Sequence, residues 1–164
     1  MSMMGMFAQA TDEEIQGLLA DPDEILVFLE TREELDVTRV LELEKNWHAL
    51  HWLLTGSKWE GEPPLNFIVL GGAGIGDVDV GYGAARAFTS AEVAAIHAAL
   101  GPISTVELLS RYNGQAMQDL YPDIWNRPDE EQMNREDLAA SFERLKQFVA
   151  DLAGDRLGMI VWLE

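Results

Sequence analysis

Cysteine is absent from this 164-residue sequence. That excludes disulfides, thiolate zinc sites and cysteine nucleophiles, and it fits a reducing compartment. Basic residues are scarce: 11 Lys and Arg stand against 29 Asp and Glu, a formal net charge of −18. A field of that sign repels phosphates and anionic lipid headgroups, so neither nucleic acid nor a membrane surface is an expected partner. No apolar run approaches the ~20 residues that span a bilayer. The opening Met1-Ser-Met-Met-Gly-Met-Phe has no Lys or Arg and runs into Asp12-Glu13-Glu14 without a secretory-type apolar segment. The expected location is therefore the cytoplasm. Internal repeats, low-complexity tracts and a linker long enough to divide domains are also missing. A single domain over 1–164 is expected.

What is present suits a packed core. Hydrophobic residues make up 48% of the chain, with five Trp and six Phe to bury. Met4 to Gln9 is short, apolar and uncharged, and predicts an N-terminal strand. Thr11-Asp-Glu-Glu14 is a capping box that opens a helix to about Ala20. Asp21-Pro22 restarts a second helix, with Asp as N-cap and Pro at N1. Leu43, Trp47, Leu50, His51 and Leu54 recur at helical spacing and predict a helix over about 40–54, ended by Gly56 in the left-handed conformation. Its apolar arc is wide enough to make it the central core helix. Leu65 to Leu70 reads as a strand. Gly71 to Gly83 reads as a loop or irregular hairpin, returning through Ala85 to Phe88. Capping boxes at Thr89 and Ser104 open helices to Leu100 and about Tyr112. Asn113 to Pro128 predicts short turns, Asn134 to Ala153 the longest helix, capped by Gly154, and Leu157 to Leu163 a last strand. The expected fold class is α+β, a small mixed or antiparallel sheet packed against several helices.

Few residues point to chemistry. His48 and His51 are neighbours at i, i+3 and could share a metal, with His97 or a carboxylate as third ligand. The zinc pattern of two His at i, i+4 with an intervening Glu is not met, because Ala49 and Leu50 stand between them. No metal or cofactor is expected. Gly71 to Gly76 fails both nucleotide-binding glycine patterns, and Asp77 and Asp79 would repel phosphate. Asp77-Val-Asp79 does not complete a calcium loop. Tyr82 and Arg86 flank the glycine-rich segment and could grip a carboxylate, or Arg86 could pair with one of the many acids. Tyr121 and Trp125 stand around the bend at Pro122 and could be the wall of a pocket or a core plug. The candidate ligand-binding set is Trp47, His48, His51, Tyr82, Arg86 and Trp125.

The run Leu43 to Gly56, with Trp47-His48-Ala-Leu-His51 leading to Leu53-Leu-Thr-Gly56, resembles the YfbM-like family of bacterial proteins, a domain of unknown function. Pro64-Leu65, Leu70-Gly-Gly72, Gly81-Tyr-Gly-Ala-Ala-Arg86, Tyr121-Pro-Asp-Ile-Trp125 and the C-terminal strand follow in the same order. Met4-Gly5-Met6 is similar to that family's start, which leaves Met1 to Met3 as an extension. The resemblance implies an α+β fold and a bacterial cytosolic protein, and supplies no reaction.

Two functional expectations remain. The first is a non-enzymatic interaction protein, of the inhibitor or immunity type, whose acidic surface meets a basic protein partner. Asp12 to Asp36 carries a single base, Arg32. The second is a small-molecule binder or enzyme with a pocket between the Trp47–Leu54 helix and the Gly71–Arg86 loop, where His51, Tyr82 and Arg86 would converge. Either a monomer or a homodimer is compatible with both.

Overall fold

The computed structural model describes residues 2–35 and 37–164. Met1, at the head of the expected extension, and Asp36, at the end of the acid-rich stretch, lie outside the described residues. The elements run β1 (Gly5–Ala10), α1 (Asp12–Ala20), a 3-10 turn (Pro22–Glu24), α2 (Ile25–Leu35), β2 (Val40–Glu44), α3 (Trp47–Thr55), β3 (Ala73–Asp79), β4 (Ala84–Phe88), α4 (Ser90–Leu100), α5 (Thr105–Leu109), α6 (Glu131–Gly154) and β5 (Gly158–Leu163). The strands form one five-stranded sheet in the order β2-β1-β5-β4-β3, with every neighbouring pair antiparallel. The fold is α+β.

Side chains alternate across a strand, and here both faces of the sheet are covered. Phe7, Phe88, Met159 and Val161 join the larger core, together with α3, α4 and α6. Met6, Ala8, Ala87 and Ile160 join a smaller core on the opposite face, under Ile15 and Leu18 of α1 and Ile25 and Leu29 of α2. Two inner-strand faces buried at once explain why β1 and β5 read as apolar runs.

Local capping chemistry places several helices where expected. Thr11 accepts from the Glu14 amide at 3.0 Å while Glu14 accepts from the Thr11 amide at 3.0 Å. Thr89 and Glu92 repeat the arrangement, and Ser104 accepts from the Glu107 amide. Gly56 ends α3 with φ 76.

Four expectations need correction. The helix expected over 40–54 divides in two: Val40-Leu-Glu-Leu-Glu44 alternates buried Leu41 and Leu43 with exposed Glu42 and Glu44, and forms edge strand β2. Leu43 satisfies both the period of 2 and the helical period, so it drew the helix too far back. Leu65 to Leu70 is not a strand but a series of turns, with the Leu70 amide donating to the Asn66 carbonyl at 2.8 Å. Asp21 gives no side-chain cap to the 3-10 turn that precedes α2. Gly154 lies within α6, and the left-handed residue that turns the chain toward β5 is Arg156, at φ 57. The glycine-rich segment is the irregular hairpin β3–β4. Asp79 closes its turn, its carboxylate accepting from the Gly81 and Gly83 amides at 2.9 and 3.1 Å. These bonds to the charged form hold its carboxyl below the usual range.

Candidate functional site

Helix α3 carries three of the expected site residues into the larger core, where Trp47, His48 and His51 are essentially inaccessible to solvent. Gly5 makes room for this: a Cβ there would lie 2.6 Å from the Trp47 Cβ. The Trp47 indole donates to the Met3 carbonyl at 3.1 Å. Its ring stacks on His48 at 4.8 Å and on Tyr121 at 5.8 Å. Trp59 also lies against the imidazole at 4.3 Å, and 6.3 Å from the Trp47 ring.

The His48 ring has no nitrogen to spare. The Tyr121 amide, an obligate donor, points at Nδ1 at 2.9 Å. Nδ1 must therefore be the lone-pair nitrogen, and Nε2 carries the proton that it donates to the Lys58 carbonyl at 2.9 Å. Burial pushes the imidazole down to about 4, against a smaller opposing pull from the Lys58 carbonyl. His48 is a neutral strut joining α3, the loop after it and the Tyr121 turn.

His51 is similar. Its Nε2 donates to the Glu60 carbonyl at 2.8 Å, and burial lowers its pKa, with a further contribution from the nearby positive charge of Arg86. Its Nδ1 is buried without a hydrogen-bond partner. Both Nε2 atoms are spent on carbonyls, so the pair does not present the shared metal site that its spacing allowed. Among the described residues no group of three or more His, Asp or Glu is gathered as metal ligands would be.

Arg86 projects from β4 onto the Leu65–Leu70 turns. Its Nη1 donates to the carbonyls of Phe67, Leu70 and Gly71 at 3.1, 2.5 and 3.2 Å, and its Nη2 to that of Ile68 at 2.7 Å. The planar fork matches a row of carbonyls that turns leave without partners. Burial alone brings its pKa down to about 10. Among the described residues Arg86 turns its fork to these carbonyls and not to an acid. Tyr82 stands apart, 43% exposed at the β3–β4 turn. Trp125 is a core plug: its indole donates to the Tyr121 carbonyl at 2.9 Å, and the Tyr112 hydroxyl donates to the Trp125 carbonyl at 2.8 Å.

The structure thus joins Trp47 and His48 with Tyr121 and Trp59, and places His51 beside Arg86. It does not bring His51, Tyr82 and Arg86 around a shared cavity. Across the sheet lies an open groove of about 490 Å³ between α1 and α2. Gly17, Leu18 and Asp21 of the α1 segment face Val27, Phe28 and Thr31 of α2. An ion pair from Arg32 to Glu14 ties the late part of α2 to the first turn of α1, so the helices lie side by side in opposite directions. Arg32 also stacks over Phe28, 4.7 Å from its ring centre. Val27, which lines the groove, is 59% exposed, and Leu19 and Leu26 of the same two helices are 40% and 52% exposed. Sequence reasoning noted the acids here but missed the groove. The available signals were Gly17 inside a helix and the unbroken apolar run Ile25 to Leu29, too wide for a short helix packed on one side.

A family model described as a domain of unknown function (DUF1877) matches residues 1–162. The chain belongs to this family. A crystal structure of YfbM from Escherichia coli, itself titled a protein of unknown function, matches with a TM-score of 0.77 at 22% identity, over 98% of this chain and 99% of that one. The DUF1877 fold seen here is therefore YfbM-like. No curated protein matches the chain significantly. No described helix is long and apolar enough to cross a membrane. Within this DUF1877 chain, Trp47, His48 and Arg86 are engaged by internal packing and main-chain hydrogen bonds, and His51 is engaged through Nε2 alone.

Proposed function

We propose that this protein is a non-enzymatic binding protein, of the inhibitor or immunity type, that uses its α1–α2 face to meet a basic protein partner. The observation that carries this reading is the face itself. Between residues 12 and 35 stand nine acids and one base, and that base is occupied by Glu14. Exposed apolar side chains are interleaved with the acids, the mixture that gives an interface both steering and burial. The groups that looked catalytic are committed elsewhere: two neutral histidines hold carbonyls, and the Arg86 guanidinium is spent on four more.

Capture on immobilised protein at about 50 mM and about 300 mM salt tests the reading. A basic protein retained at low salt and released at high salt is expected. Retention should fall at least tenfold in the triple variant Glu13→Gln, Asp23→Asn, Glu30→Gln, which neutralises three exposed acids. Retention that ignores both salt and the triple variant would sink the proposal.

A further inference from the structure

Gly17 has no structural reason to be glycine. It sits in the interior of α1, its φ is not in the left-handed range, and a Cβ added there would meet nothing within 4 Å. Glycine is among the poorest helix formers, so the position weakens α1 without any return inside the chain. What glycine does here is leave the helix backbone bare on the wall of the groove. Helices pack with axes about 8–10 Å apart, and the lower end of that range needs small residues at the crossing.

From this we infer that the α1–α2 groove is a docking site for a basic amphipathic helix of a partner protein. The inference rests on the acidic-face reading above and specifies the partner's form. Leu18, Val27 and Phe28 supply an apolar floor, Asp21 and Glu24 stand around it, and Glu14 is held by Arg32. An apolar stripe seated on that floor brings flanking Lys or Arg side chains within reach of the carboxylates. Helix α1 is nine residues long, about 14 Å, so the contact spans two to three turns of the incoming helix. A second copy of this chain is a poor occupant, because its own matching face is equally acidic and would be repelled.

The test uses two labelled peptides of about 18 residues built from Leu and Lys, long enough to be helical on binding. In one, Leu recurs at i, i+3, i+4 and i+7. In the other the same residues are scrambled. Fluorescence anisotropy at about 50 mM salt reads their affinity for the native chain and for Gly17→Leu. Leucine is a better helix former than glycine, so this variant is expected to melt no lower than the native chain. The native chain should bind the amphipathic peptide about tenfold tighter than the scrambled one. Gly17→Leu should lose that preference and still bind the scrambled peptide as the native chain does. Equal binding of the two peptides, or a preference unchanged by Gly17→Leu, overturns the groove and leaves the acidic-face reading standing. No binding of either peptide overturns both. A dimer in sedimentation that Gly17→Leu dissolves assigns the groove to a second copy and overturns the helix proposal.

Discussion

Acidification should act on this fold through His48 in a calculable way. Its folded-state pKa is pushed down to about 4, whereas an unfolded histidine titrates near 6.5. The unfolded chain therefore takes up a proton first as pH falls. The stability that depends on a neutral His48 is fully present above about 6.5, erodes between about 6.5 and about 4, and is gone below that. A gap of this size is worth about 3 kcal/mol, and each pH unit inside the window removes up to about 1.4 kcal/mol. The ring is 1% exposed, so solvent does little to soften the effect. His51 is shifted in the same direction by burial and adds to the loss. Urea unfolding of the native chain and of His48→Gln at several pH values between 7.5 and 5 separates His48 from the many carboxylates. The variant should be less stable at pH 7.5, and the difference should shrink by about 2 kcal/mol by pH 5. A stability difference that stays constant across the window, or an imidazole resonance for His48 that titrates near 6.5, would refute the tautomer and strut assignment.

Other perturbations probe the same architecture. Arg86→Lys keeps the charge but cannot reach four carbonyls from one plane; it should destabilise by roughly 3 kcal/mol in urea unfolding, because buried carbonyls lose their partners. Gly5→Ala forces a methyl to within 2.6 Å of the Trp47 Cβ and should cost about 1–3 kcal/mol by overpacking, with a changed Trp fluorescence maximum as a local reporter. Thr11→Ala removes a cap whose side chain and Glu14 satisfy each other, and should lower stability by about 1 kcal/mol while leaving peptide binding in the groove unchanged.

The elements that were legible in the sequence are those whose signals are local. Thr11 and Thr89 each carry their partner three residues on, and the faces of α6 repeat at one helical period over a long stretch. Residues 40–54 read as one helix because Leu43, in the five-residue strand, falls in helical register with Trp47 and Leu50 of the nine-residue helix, and only a tight turn at Glu44, φ 50, separates the two elements. Leu65 to Leu70 has strand composition, yet its conformation is held by a guanidinium more than a dozen residues later in the chain. No local pattern encodes that.

The surroundings of the candidate residues were hidden from the sequence for the same reason. His48 looked like a ligand because both nitrogens were unassigned. Its partners are main-chain atoms of Lys58 and Tyr121, the latter 73 residues away. Main-chain partners leave no residue-type signature. The α1–α2 groove was hidden because each helix on its own resembles an ordinary acidic surface helix. Only their antiparallel pairing, with Glu14 meeting Arg32, sets Gly17 opposite Val27 and Phe28.

On the proposed reading, function resides on the α1–α2 face and the histidine-aromatic cluster is internal structure. Amide chemical-shift mapping, with the basic amphipathic peptide added to isotopically labelled protein, tests it most directly. Shifts concentrated in residues 12–35, with the amides of Trp47 to Thr55 and Trp59 unmoved, are the expected result. Shifts centred on His48, His51 and Trp59, with α1 and α2 silent, would contradict the account.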